Sequence, residues 1–138
     1  MDVTQIPFNK FIEISYSSTD DHVLELGFKD TMKNHIGTFH AGAQFALAEA
    51  CSGLALQKHF PHLTNAVVPV LRKSDIKFRK PAQSDIQAKA NITTETKEIF
   101  ENQLTKKGHA AITVLVEIID QNGIITMTGT YEWFVQKL

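Results

Sequence analysis

The chain has 138 residues, 43% of them hydrophobic, and a formal net charge of −1, which is one domain's length with enough apolar material for a single core. Charge this close to zero argues against a nucleic-acid binder, which carries a basic surplus. The single cysteine, Cys51, excludes an intrachain disulfide and fits a reducing compartment.

In chain order, the opening MDVTQIPFNKF lacks the basic start and apolar run of a secretory signal, and no apolar stretch is long enough to span a bilayer. The expectation is a soluble, cytoplasmic protein with one domain over residues 1–138 and no membrane partner. EISYSS and HVLELGFKD alternate apolar and polar residues around Thr19-Asp20-Asp21, which predicts a hairpin. Residues 31–40 carry loop formers, Asn34 and Gly37, and lead to a helix start. From Ala41 to about Gln57 the chain is mostly Ala, Leu and Phe, which is helix material, and Pro61 ends it. KSDIKFRK and SDIQAKANI then read as strands, with Ile76 and Phe78 opposite Lys77 and Arg79, and with Ile86, Ala88, Ala90 and Ile92 on one face. Pro81 marks a bend between them. TKEIFENQLTKKG predicts a short helix near 96–107, with Thr96 as its N-cap, Ile99, Phe100, Gln103 and Leu104 as its stripe, and Gly108 as its stop. AAITVLVEIID and GIITMTGTYEWFV form a closing hairpin through Asn122-Gly123. About six strands with one apolar helix imply an α+β fold, an antiparallel sheet wrapped around one long central helix.

Glu49 is the only charged residue between Ala41 and Gln57. An ionised carboxylate buried without partners costs several kcal/mol, so its pKa must rise or it must find donors. One reading is a structural ion pair with Arg72 or Lys73. The other is a catalytic base or nucleophile in a dry cleft. The small residues Ala41-Gly42-Ala43 at the helix start allow either close packing or the approach of a ligand to free backbone N–H groups, where a developing oxyanion would be stabilised. Ala41 and Glu49 lie ~12 Å apart along a helix, so one carbonyl cannot touch both. If both serve one reaction, the second must come from another copy of the chain, across a two-fold axis.

NHIGTFHAGAQFALAEA resembles the loop-and-helix signature of hotdog-fold acyl-CoA thioesterases of the phenylacetic-acid type and related small thioesterases. That signature has an Asn, a His-Gly-Gly six residues on, and an Asp or Glu nine beyond the His; Asn34, His40 and Glu49 keep both spacings. SDIKFRKPAQSDIQAKA and the terminal hairpin are similar to that family's strands. The resemblance implies hydrolysis of an acyl thioester, with acyl-CoA the favoured substrate, by a protein that works as a dimer or a dimer of dimers. It makes Glu49 the base or nucleophile, has Asn34 position water or the carbonyl, and gives the Ala41 N–H the oxyanion. His40 belongs to the signature, and Gly42 and Phe45 would line the substrate. Two features depart: Ala41-Gly42 replaces Gly-Gly, and the helix near 96–107 is not universal, which is similar to a less characterised branch.

Lys73, Lys77, Arg79 and Lys80 make a local cationic stretch that could meet coenzyme A phosphates or be an ordinary solvated face; Arg79 and Lys80 are the best placed. His59 and His62 lack a nearby carboxylate or thiol and read as a loop, with no metal expected. Asn91-Ile92-Thr93 reads as a chance glycosylation acceptor, and Cys51 as a core residue. No phosphate loop, G-x-S-x-G elbow or HExxH occurs, and coenzyme A is expected only as part of the substrate. Two other functions stay open. One is a 3-hydroxyacyl thioester hydratase or dehydratase using His35, although the prolines usual between its His and carboxylate are missing. The other is a module that binds an acyl thioester without turnover.

Overall fold

Six antiparallel strands form one sheet in a computed structural model that describes residues 1–138. They are β1 (Ser15–Tyr16), β2 (Leu24–Leu26), β3 (Val67–Phe78), β4 (Ile86–Asn91), β5 (His109–Ile119) and β6 (Ile125–Lys137), in the order β1-β2-β4-β5-β6-β3. Three helices accompany them: a single turn α1 (Pro7–Phe11), the long α2 (Ala41–His59) and α3 (Thr94–Lys107). No helix is long and apolar enough to cross a membrane.

Alternation writes the sheet's two faces into the sequence. In β5, Ala110, Ile112, Val114, Val116 and Ile118 are buried, while Thr113, Leu115 and Glu117 between them are exposed. Their partners Tyr131, Trp133 and Val135 in β6 are buried on the same face. The hairpin between these strands closes at Gly123, whose φ of 76° suits a residue without a Cβ. The Asp120 carboxylate steadies the turn by accepting from the N–H groups of Asn122 and Ile124.

α2 lies across β2, β4, β5 and β6. Leu47 and Leu54 are buried against them, each contributing roughly 1.5–3 kcal/mol. The helix runs two residues past the expected Gln57, and its C-cap is Phe60 just before Pro61. It is not buried all round, as the even apolar composition suggested: Ala41 and Gly42 are exposed, and Phe45, Glu49 and Gly53, on the same stripe, are half-buried. That stripe faces the β3 side of the sheet, where Ile76 and Phe78 point inward but stay partly uncovered.

α3 corrects two expectations. Its N-cap is Thr93, whose hydroxyl accepts from the Thr96 N–H, so Thr96 sits one turn inside. Only Phe100 and Leu104 of the stripe are buried; Ile99 and Gln103 face outward, because α3 touches the body along one narrow line. Gly108 ends it in the left-handed conformation at φ 78°. The first eleven residues, which the sequence reading left unassigned, form a 3-10 turn at Val3–Gln5 and then α1, packed against α2.

Candidate functional site

Glu49 sits at the middle of the open stripe of α2, half-buried, with no hydrogen-bond or ion-pair partner for its carboxylate. Arg72, one proposed partner, pairs with Glu132 at 3.2 Å and stacks on Phe134, on the outer face of the sheet. Lys73 lies beyond the bulge on that same outer face and is exposed. Burial therefore raises the Glu49 carboxyl above its ordinary value of 4.5 with nothing opposing it.

β6 arranges the surroundings. Trp133 Nε1 donates to Ser52 Oγ at 2.9 Å, and that hydroxyl donates to the Glu49 carbonyl at 2.7 Å, locking the indole beside the helix. Tyr131 donates to the Phe45 carbonyl at 3.1 Å, and the two rings meet at 5.3 Å. Burial and the neighbouring Glu49 charge push the Tyr131 hydroxyl well above its ordinary pKa, so it stays a neutral donor. Tyr131, Trp133 and Ser52 escaped the sequence reading. Strand alternation put both aromatics on the inner face, but nothing local said which turn of α2 they would meet.

A cavity of about 270 Å³ opens at Glu49 and follows the helix away from its start. Gly53, Leu56 and Phe60 line it from α2 and its cap, Phe100 and Trp133 from α3 and β6. Val3, Ile6 and Asn9 of the N-terminal segment, residues 63–65, and Val67 and Pro69 of β3 also line it.

The helix start is organised separately. His40 is the N-cap, and its Nδ1 accepts from the Gly42 N–H at 2.8 Å. A Cβ at Gly42 would stand 3.1 Å from that nitrogen, so the glycine makes room for the cap. The N–H groups of Ala43 and Gln44 return to the His40 carbonyl. Ala41 is exposed, and its N–H is left as a free donor. Asn34 is engaged within its own loop: its Nδ2 donates to Thr38 Oγ1 at 2.8 Å, and its Oδ1 accepts from the N–H groups of Ile36 and Thr38. The side chain expected to position water or the carbonyl is thus bonded within the loop that leads to the helix. His35 and Ile36 are exposed in that loop, and nothing joins His35 to Glu49.

Arg79 and Lys80, just past β3, come to this same end. Phe39 N–H donates to the Ala82 carbonyl at 2.8 Å, and the N–H groups of Arg79 and Lys80 both reach the Thr126 carbonyl. The Thr126 hydroxyl donates to Gln44 Oε1 in the first turn of α2. Arg79 Nε also donates to Thr128 Oγ1, and both cationic side chains are exposed. Cys51 faces the opposite way: its thiol donates to the Ala88 carbonyl at 3.3 Å, and burial pushes its pKa up to about 12. One chain thus carries two features ~12 Å apart along α2: a free backbone donor at Ala41, and a carboxylate opening on a largely apolar cavity.

The model of DUF4442, a domain of unknown function, matches residues 4–135. The chain belongs to the DUF4442 family. No curated protein matches it. Among solved structures, this DUF4442 chain is similar to a probable thioesterase of unknown function from Pseudomonas aeruginosa. That match has TM-score 0.83 and 22% identity, over 99% of this chain and 91% of that one. It is also similar to a Bacillus halodurans protein solved with CoA, at TM-score 0.72 and 18% identity over 93% and 74%. A hypothetical thioesterase from Streptococcus pneumoniae solved with coenzyme A matches at 0.62 and 20%, over 83% and 77%. At these identities the likeness carries the fold.

Proposed function

We propose that this DUF4442 protein has a hotdog fold and hydrolyses an acyl thioester, with acyl-CoA the favoured substrate. The observation that carries the reading is the partnerless, half-buried Glu49 at the mouth of an apolar cavity. Fold relatives described as thioesterases, and others solved with CoA, support the same substrate class.

In this reading the Glu49 carboxylate takes a proton from water as the hydroxyl attacks the thioester carbon. The carbonyl oxygen, gaining charge, accepts from the Ala41 N–H at the positive end of α2. The C–S bond then breaks, and the proton on Glu49 passes to the departing thiolate. Direct attack by Glu49 on the carbonyl, through an anhydride opened by water, uses the same carboxylate. Asn34 and His40 act one step back, by fixing the loop and capping the helix so that the Ala41 donor points outward. Gly42 admits that cap, and Phe45 borders the reacting group. Arg79 and Lys80, exposed just past β3, would meet phosphates of coenzyme A.

Because Ala41 and Glu49 are ~12 Å apart, the working unit is a dimer in which each site takes one end from each copy. The open stripe of α2 supports this, as does β3, a twelve-residue edge strand with a partly uncovered inner face. Phe78 on that face is 48% exposed. A second copy laid antiparallel would cover both and bring its helix start to this Glu49.

Thiol release from a panel of acyl-CoAs tests the reading. The protein should turn over at least one of them, and Glu49→Gln should lower kcat by ~10²-fold or more while the fold survives. A Glu49→Gln enzyme working at the parent rate would remove the carboxylate from the chemistry. Tight binding with no thiol release would leave a non-catalytic binding module.

A further inference from the structure

The cavity beside Glu49 is held open by construction. Gly53 lies inside α2, where glycine weakens a helix, yet no close contact demands it. A Cβ there would find only Trp133, at an ordinary 3.6 Å. What the missing side chain provides is space next to Glu49. The opposite wall is fastened just as deliberately. Asn9 Nδ2 donates to the Val3 carbonyl at 2.9 Å, and Asp2 Oδ1 accepts from the Thr4 N–H and from the Tyr16 hydroxyl. The N-terminal segment therefore forms a fixed side of the cavity. Phe60, its ring tilted against that of Phe100 at 5.0 Å between centroids, lines the end remote from Glu49.

Length narrows the occupant. The lining on α2 extends from Glu49 to Gln57, eight residues or ~12 Å. That is about the length of an extended alkyl chain of eight carbons.

We propose that this cavity receives the acyl chain of the thioester, that it fits a straight chain of about eight carbons, and that Gly53 sets its width. The inference rests on the thioesterase reading for the identity of the ligand, but its test does not need turnover. The catalytically disabled Glu49→Gln protein is titrated by calorimetry with butanoyl-, octanoyl- and hexadecanoyl-CoA, and the parent protein is assayed for thiol release on the same three. Each buried methylene is worth about fourfold. Octanoyl-CoA should therefore bind about 10²-fold more tightly than butanoyl-CoA, and hexadecanoyl-CoA no more tightly than octanoyl-CoA. Adding Gly53→Leu should weaken octanoyl-CoA at least tenfold more than butanoyl-CoA. If that variant does not fold, Gly53→Ala, whose methyl meets Trp133 at ordinary distance, should shift the profile the same way by less. Ile6→Ala, at the partly exposed wall, should move the optimum to longer chains. A flat length profile, or one unmoved by Gly53→Ala and Ile6→Ala, overturns the cavity assignment even if thioesters are hydrolysed. The expected profile without thiol release from the parent protein overturns the hydrolysis and leaves the acyl site standing.

Discussion

Glu49 is available for chemistry because its own chain offers it no counter-charge, and that has a measurable sign. Burial raises its carboxyl above 4.5. A group that holds its proton more tightly folded than unfolded contributes fully below its unfolded pKa, and that contribution is lost as pH rises through the folded value. Glu49→Gln should therefore raise Tm relative to the parent near pH 7, with the gain vanishing near pH 4, in paired thermal melts. A structural ion-pair partner would give the opposite result near neutrality. In the proposed reaction the same direction applies to activity: kcat should fall as the carboxylate protonates, at a pH above the ordinary 4.5. The other group in the proposed reaction is the Ala41 backbone N–H, and proline can remove it. Ala41 is the first helical residue, where proline is tolerated. His40, at φ −62° and ψ 137°, already has the extended backbone a following proline requires. Ala41→Pro should melt within a few degrees of the parent while kcat drops by ~10²–10³, the usual loss for one oxyanion donor.

Local patterns in the sequence reach as far as the elements and stop at their contacts. The alternation of β5 and β6, the Asn122-Gly123 turn and the β-branch-poor run from Ala41 were readable because each is a period of one element. Glu49 stood out as the lone charge in an apolar run, and Asn34 and His40 only through a family resemblance, which could not say that the Asn34 side chain is bonded to Thr38 and Ile36. Nor could it reveal that Trp133, more than eighty residues away, buttresses Glu49 through Ser52, since that depends on the turn at which strand meets helix. α3 shows the same limit at smaller scale. Two threonines three apart both suit an N-cap, and only the backbone geometry selects Thr93, extended at φ −68° and ψ 153°. Urea unfolding provides the check: Thr93→Ala should cost about 1 kcal/mol. Thr96→Ala, which loses only the 2.8 Å bond between the two exposed hydroxyls, should cost less than half of that. Equal losses would contradict the assignment.

At the scale of the whole molecule, the proposed reaction needs Ala41 and Glu49 of one chain to serve two different sites. In the proposed reaction the free Ala41 N–H meets the thioester carbonyl oxygen, Glu49 the attacking water, and the cavity behind Glu49 the acyl chain. A straight α-helix keeps them ~12 Å apart, and no rotamer change closes that distance. In a two-fold dimer each site draws Glu49 from one copy and Ala41 from the other. Two inactive variants should then rescue each other. In a mixed dimer of Glu49→Gln and Ala41→Pro chains, one site has both lesions, and the other joins an intact Glu49 to an intact Ala41. Random exchange makes half the dimers mixed, each with one working site of two, so activity should recover to about a quarter of the parent's. The assay is to unfold the two proteins together, refold them, and compare thiol release with each refolded alone. Light scattering should show a dimer in every sample. If the mixture stays as inactive as its components while dimers form, both groups act within one chain or on separate steps, and the shared site is wrong.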